Sequence, residues 1–152
     1  NYENLIRENI SSNGMADYDF VIVDCPPSVG AITISALAAS DMAIIPTQCE
    51  YFSIQALNGV FKMINKVRKE VNPRLYFRLL VTMYDRRGNL HTHIFEKLKS
   101  HYADVLLDTV IGFDSKFRAS QVAGIPITTF AATTRGAQQY QDLAKEIMQY
   151  VE

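Results

Sequence analysis

The sequence predicts a doubly wound α/β fold, in which helices cover both faces of a mostly parallel sheet. Short apolar runs bounded by turn residues recur along the chain, and longer segments with one apolar helical face separate them. The chain has 152 residues, of which 48% are hydrophobic and 20% are charged, so it is long enough for one domain with a substantial core.

Four short apolar segments are predicted to be strands. The first, residues 19–24, is unbroken, rich in β-branched residues and followed by Pro26 and Pro27. This pattern is typical of a strand buried on both faces of a parallel sheet. The other three strands are predicted within residues 42–46, 75–83 and 105–111.

Helices are predicted between and after these strands. The segment after Ser53, which can cap it, keeps one apolar face as far as Val71 and ends at Asn72. Residues 126–132 are predicted to be irregular or a short edge segment. The other helical segments are residues 1–9, 30–39, about 90–102, from Asp114 or Ser115 to Gly124, and from Thr133 or Thr134 to a stripe of Tyr140, Leu143, Ala144, Ile147 and Val151.

Asp24 is predicted to lie at the carboxyl end of the first strand. That edge is where ligands bind in open α/β sheets. A carboxylate there commonly reaches Mg²⁺ through water, because Mg²⁺ prefers hard oxygen ligands and keeps several of its waters. The alternative is a structural role in which Asp24 caps the following turn.

Composition excludes some classes of function. A net charge of −1 argues against a globally basic nucleic-acid binder, although it allows a local basic patch. Cys25 and Cys49 are predicted to be small buried residues of a cytosolic protein. No apolar run approaches the roughly 20 residues that span a membrane, and no secretory signal is visible. Because the chain begins at Asn1 rather than Met, we expect it to be a fragment.

Residues 21–28, which read V-I-V-D-C-P-P-S, resemble the Walker B and switch region of the ParA/MinD family of deviant-Walker ATPases. The resemblance covers about residues 15–152 and is strongest to ParA/Soj-type chromosome and plasmid partition proteins. It continues through residues 36–41, 45–53, 80–85, 109–111 and 136–144.

This resemblance implies a P-loop NTPase-like fold and an ATPase that uses ATP and Mg²⁺. It implies a cytoplasmic, nucleoid-associated protein that does not bind a membrane. Its partners would be a second copy of itself in an ATP-dependent homodimer, nonspecific DNA and a ParB-like protein. Residues 1–152 would be the C-terminal portion of one such domain, incomplete without its N-terminal P-loop unit.

Two departures from the family pattern matter. The phosphate loop, of the type Lys-Gly-Gly-x-Gly-Lys-Thr, is absent from the sequence; in the family it precedes the strand that ends in Asp24. Since that loop neutralises the phosphates, we predict that this chain alone cannot hydrolyse ATP. Where the family often has Pro-Arg-Asn near the adenine base, this chain has Gly112, Phe113 and Asp114, and Phe113 could stack on a base or pack in the core.

The resemblance also implies roles for individual residues. Asp24 would be catalytic and would hold Mg²⁺ through water. Gln48 and Glu50 would contact a neighbouring subunit or the nucleotide edge, or be loop residues. The remaining assignments are the second switch (Pro26, Pro27, Ser28), nucleotide binding (Thr82, Met83, Gly112, Phe113) and DNA binding (Arg86, Arg87, Lys116, Arg118). Ordinary solvated surface is the alternative for the four cations.

Other classes stay open or are disfavoured. One alternative is a MinD-like positioning ATPase, but residues 146–152 lack the basic face of a membrane-binding helix. Another is a non-catalytic ParA-like module that binds DNA or protein. A nicotinamide-dependent dehydrogenase is disfavoured because no Gly-x-Gly-x-x-Gly follows a strand. His91 and His93, two residues apart, do not share a helix face and predict no metal site.

Overall fold

A computed structural model describes residues 5–12, 18–26, 28 and 30–150. Within them the chain forms seven helices and three strands. It divides into two compact units, one of residues 1–43 and 55–77 and the other of residues 44–54 and 78–152. The elements are α1 (Leu5–Ser12), α2 (Ala31–Ala39), β1 (Met42–Gln48), α3 (Tyr51–Glu70), β2 (Tyr76–Tyr84), α4 (Asn89–Tyr102), β3 (Leu106–Gly112), α5 (Lys116–Ala123), α6 (Ile127–Phe130) and α7 (Arg135–Met148).

The second unit is built around the sheet, whose strand order is β1-β2-β3. Strands β2 and β3 are parallel, with Leu79 opposite Leu106 and Tyr84 opposite Gly112. The core of this unit consists of Leu80, Leu107, Ile111 and Leu143, with the partly buried Ile44, Phe117 and Ile147 packed against them. The α/β fold predicted from the alternating pattern is therefore confirmed, and its parallel pair places the carboxyl ends of β2 and β3 side by side.

Helix α7 covers β3 and bonds directly to its backbone. The pairing of β2 with β3 is irregular between Leu79 and Val81, where β3 contributes extra residues. In that stretch the N–H groups of Asp108 and Thr109 donate to the two oxygens of the Glu146 carboxylate, at 2.7 and 2.9 Å. The Glu146 side chain thus satisfies two backbone N–H donors that are left unpaired where the pairing of β2 with β3 is irregular.

In the first unit, Asn72 ties the end of α3 to the end of α2. Its side-chain amide donates to the carbonyls of Leu37 and Ser40, at 3.1 and 2.7 Å, and the residue is only 6% exposed. These carbonyls belong to the last turn of α2, where no intrahelical donor remains. Asn72 therefore caps one helix while it terminates another.

The predicted first strand is wrong. Residues 20–23 belong to no strand of the described sheet, and their side chains are exposed, Ile22 to 92%. An apolar run becomes a buried strand only when neighbouring strands pair with it and helices cover both faces. The described residues supply neither, so the local pattern alone does not produce the element.

Several helix ends are corrected or confirmed. Helix α3 begins at Tyr51, so Ser53 lies inside its first turn rather than at its cap. Residues 127–130 form the short helix α6. Thr134 caps α7 by accepting from the N–H of Ala137, and Gly124 ends α5 in the left-handed conformation, as predicted.

The apolar stripe predicted on α7 is only partly buried. Leu143 is buried and Ile147 half-buried, whereas Tyr140 and Ala144 are exposed. Helix α1 continues to Ser12, beyond the predicted break at Ser11. Val151 lies outside the described residues.

Candidate functional site

A cleft of about 520 Å³ opens in the second unit, where β2 and β3 end. Its walls come from the loop after β2, the loop after β3 and the first residue of α7. The lining residues are Tyr84, Asp85, Arg86, Arg87, Phe113, Asp114, Ser115 and Arg135. The carboxyl ends of neighbouring parallel strands are the usual position of ligand sites in open α/β sheets.

In the loop after β2, Asp85 is the central acceptor. Arg87 donates to its carboxylate from Nε and Nη2, at 2.9 and 2.7 Å, and the backbone N–H of Arg87 adds a third bond at 3.0 Å. The N–H of Asp85 in turn donates to Nδ1 of His91, at 3.3 Å. Side-chain and backbone hydrogen bonds from Arg87 hold the pKa of the Asp85 carboxyl well below its usual range, and the side-chain bond and negative charge of Asp85 raise the pKa of Arg87.

In the loop after β3, Phe113 is 37% exposed and is one of the residues that line the cleft. Its N–H donates to the carbonyl of Tyr84 at 2.9 Å, which links the two loops. Of the two predicted caps of α5, Ser115 occupies the N-cap position without a side-chain cap bond, and the Asp114 carboxylate accepts from the N–H of Lys116 at 2.9 Å. Phe113 is therefore not a core residue, and its ring remains accessible to a ligand.

Met83 occupies an unusual backbone position one residue before the cleft. Its φ is +54°, in the left-handed region that residues other than glycine seldom adopt. The ladder is irregular between Val81 and Tyr84, where β2 contributes one residue more than β3. Met83 thus lies in a bulge that re-aims the end of β2, a device common beside binding sites.

The other predicted nucleotide residues lie near this strand end. Thr82 is half-buried, and its hydroxyl donates a long bond of 3.5 Å to the carbonyl of Thr47. Gly112 is buried, and its N–H donates to Oε1 of Gln139 at 2.9 Å. Gln48 and Glu50 are exposed at the end of β1 and the start of α3.

The predicted Mg²⁺ and switch residues lie in the first unit. Asp24 is exposed, and its carboxylate has no hydrogen bond or ion pair with another described residue. The N–H of Ser28 donates to the carbonyl of Pro26 at 2.8 Å, and the Ser28 carbonyl accepts from the Thr33 hydroxyl at 2.7 Å. Pro27 lies outside the described residues.

The cations predicted to bind DNA do not form one equivalent set. Arg86 and Arg87 line the cleft, and Lys116 and Arg118 are exposed on the first turn of α5. Arg87 is engaged by Asp85, whereas no bond to a described residue is formed by the Arg86 guanidinium. The structure therefore distinguishes a held arginine from its accessible neighbour.

Sequence reasoning missed Arg135, which lines the cleft and donates from Nη2 to the carbonyl of Phe113 at 2.8 Å. The two residues are separated by 22 positions, and no local pattern connects them. The only signal was a basic residue directly after the N-cap Thr134, where helices favour acidic residues.

The two cysteines differ. Cys49 is buried, as predicted, and burial raises the pKa of its thiol to about 11. Cys25 is only half-buried, so the prediction of a buried residue is wrong for it. Neither thiol forms a disulfide.

The chemistry of the described residues fits some cofactors better than others. No group of three or more His, Cys, Asp or Glu side chains in the described part of the chain could hold a metal by itself. Mg²⁺ fits a single carboxylate such as Asp24, because phosphates and water complete its shell. Among the described helices, none is long and apolar enough to cross a membrane.

The sheet with its flanking helices and the cleft at its strand ends define an α/β domain of the P-loop NTPase-like class. The chain belongs to the AAA domain family, which matches residues 2–77, half of its length. Among solved structures, the cobyrinic acid a,c-diamide synthase from Mycobacterium smegmatis with a bound ATP analog and magnesium has a TM-score of 0.78 at 24% identity, over 97% of this chain and 53% of the other.

Curated relatives confirm the resemblance to ParA/Soj partition proteins. The sporulation initiation inhibitor protein Soj of Bacillus subtilis is 39% identical over 86% of this chain and 52% of its own length. The chromosome partitioning protein ParA of Caulobacter vibrioides is 34% identical over 93% of this chain and 52% of its own length. The chain thus spans about half the length of the curated relatives that it matches.

Proposed function

We propose that the protein containing this chain is an ATP-dependent DNA partition ATPase of the ParA/Soj type. It dimerises on ATP, binds DNA without sequence preference and releases it after a ParB-like partner stimulates hydrolysis. The likeness to Soj and ParA supports this proposal, and so does the cleft at the strand ends. Residues 1–152 form the C-terminal portion of the ATPase domain and are inactive alone, since they contain no phosphate loop.

The cleft is the single observation that carries the proposal. It combines an accessible aromatic ring, Phe113, with the arginines Arg86 and Arg135. A flat base can stack on the ring. We assign the adenine end of the nucleotide to this cleft, bordered by Thr82, Met83 and Gly112.

Asp24 is the metal-binding carboxylate of the proposal. Bound ATP and Mg²⁺ supply the electrophilic γ-phosphoryl group and the positive charge that stabilises its transfer. The Asp24 carboxylate, exposed and without a described partner, would hold the Mg²⁺ through water. Ser28 and the two prolines before it form the adjacent switch, and Gln48 and Glu50 meet the partner subunit or the nucleotide edge.

DNA binding is assigned to the exposed cations beside the cleft. Arg86, Lys116 and Arg118 contact phosphates, and such contacts need only charge and reach. Arg87 contributes less while Asp85 holds its guanidinium. We place this protein at the nucleoid in the cytoplasm.

The test is ATP hydrolysis by the full-length gene product, with Asp24→Asn compared with Asp19→Asn as a matched control. Asp19 is an exposed aspartate of the same segment. We expect Asp24→Asn to lower kcat by about a hundredfold or more and Asp19→Asn to leave it within about twofold. Equal activity of both variants would overturn the assignment of Asp24. Turnover by residues 1–152 alone would overturn the predicted inactivity of the chain.

A second candidate is a non-catalytic ParA-like module that binds DNA or protein. The gene upstream of Asn1 discriminates between the two, because only the ATPase needs a strand followed by the phosphate loop.

A further inference from the structure

Helix α7 holds each of the three residues that follow the last core position of β3. The N–H of Gly112 donates to Oε1 of Gln139 at 2.9 Å. The carbonyl of Phe113 accepts from Arg135 at 2.8 Å, and the Asp114 carboxylate accepts from the N–H of Gly136 at 3.3 Å. The wall of the cleft is therefore fixed from behind by the first turns of this helix.

The position of Arg135 does not stabilise its own helix, α7. It is the first residue of α7, next to the N-cap Thr134, and the first turn contains no acidic residue. A cation at that end opposes the helix dipole. The carbonyl of Phe113 is the acceptor that accounts for its position.

The contact between Arg135 and the wall is close. A Cβ on the buried Gly112 would lie 3.4 Å from Nη2 and 3.5 Å from Cζ of Arg135. A Cβ here would be in ordinary van der Waals contact with the guanidinium, so the guanidinium lies next to the Gly112 backbone. The Phe113 backbone is held on its other side by its bond to the carbonyl of Tyr84.

We infer that Arg135 is a positioning residue for the base of the bound nucleotide. It acts through Phe113, by fixing the carbonyl and thereby the direction in which the ring leaves the backbone. This inference rests on the proposed function, because it takes the ligand of the cleft to be the planar base. Because Arg135 acts through Phe113 in this proposal, its loss should weaken binding of the base end and leave affinity for the phosphates unchanged.

The experiment measures binding of Mg-ADP and of inorganic tripolyphosphate to the full-length protein by calorimetry. We compare wild type, Arg135→Ala, Phe113→Ala, the double variant, and Lys145→Ala as a control that removes one cation from the same helix. We expect Arg135→Ala to weaken ADP about tenfold and to leave tripolyphosphate unchanged. The double variant should bind ADP no more weakly than the weaker single variant, since the two residues act as a unit.

Each other outcome has a defined meaning. The role of Arg135 would be overturned by any of three results: equal loss of affinity for ADP and tripolyphosphate, unchanged affinity for ADP, or additive losses of ADP affinity in the double variant. In each case, ADP binding by the wild-type protein would still support the nucleotide function. Wild-type protein that binds no ADP would overturn the nucleotide function, and the inference with it. If Arg135→Ala melts below the Lys145→Ala control, Arg135→Lys replaces it, with an expected ADP loss of roughly threefold.

Discussion

Arg87 donates two parallel hydrogen bonds to the Asp85 carboxylate, at 2.9 and 2.7 Å, across a gap of one residue. The pair is exposed on the arginine side, so its net contribution to stability is small. Its consequence concerns DNA binding: in the free protein the Arg87 guanidinium, a cation assigned to DNA, is bonded to the Asp85 carboxylate instead. The first two predictions follow from this relationship.

Asp85→Asn should strengthen DNA binding by the full-length protein, because it frees Arg87 and removes a negative charge beside Arg86. The slope of log affinity against log salt should steepen by about 0.9, the value of one added phosphate contact. Anisotropy with a duplex at several salt concentrations measures both quantities. Asp142→Asn, an exposed carboxylate on α7, is the control, and an equal effect of the two variants would refute the prediction.

The same pair predicts a pH dependence. Hydrogen bonds from Arg87 lower the pKa of Asp85 in the folded protein, so their stabilising effect is complete above the ordinary aspartate pKa of about 3.9 and is lost as pH falls toward the folded value. A carboxyl NMR titration should place the midpoint of Asp85 lower in wild type than in Arg87→Gln. Identical midpoints would mean that the pair does not persist in solution.

Met83→Gly should leave stability within about 1 kcal/mol of wild type or raise it, because glycine adopts φ +54° without the cost of roughly 1 kcal/mol that a side chain incurs. Met83→Val should destabilise by more than about 1 kcal/mol, since a β-branched residue fits that conformation worst. Urea unfolding of the full-length variants measures the difference. The reverse order would show that the bulge at Met83 is absent in solution.

Two glycines in helices should respond oppositely to alanine. A Cβ at Gly136 would lie 2.7 and 2.9 Å from the ring of Phe117, so Gly136→Ala should destabilise by about 1–3 kcal/mol. Gly59 lies within α3, and apart from its chain neighbours and its own helix backbone no described residue has an atom within 4 Å of its Cβ position, so Gly59→Ala should stabilise by about 0.5–1 kcal/mol. Thermal melting of both variants measures the two changes in stability. Changes of the same sign would contradict the close contact between Gly136 of α7 and the ring of Phe117.

The local elements of the fold were predictable to different degrees. The long helix α3, which ends at Glu70 just before Asn72, and the caps at Thr134 and Gly124 follow from short-range rules, because the groups involved are neighbours along the chain. The strand predicted at residues 20–23 failed, because burial of an apolar run depends on elements elsewhere in the chain. In the site, the sequence identified Phe113 but left open whether its ring packs in the core or stays accessible to a ligand.

By itself, the sequence determined the alternation of strands and helices and the family, because periodicity and short motifs are local properties of the chain. Only the tertiary structure decided that Arg135 reaches Phe113, that Glu146 satisfies the N–H groups of Asp108 and Thr109, and that Met83 adopts a left-handed conformation. These features depend on the register of β2 with β3 and on where α7 packs. Contacts between residues more than 20 positions apart are set by that packing, and no local pattern records them.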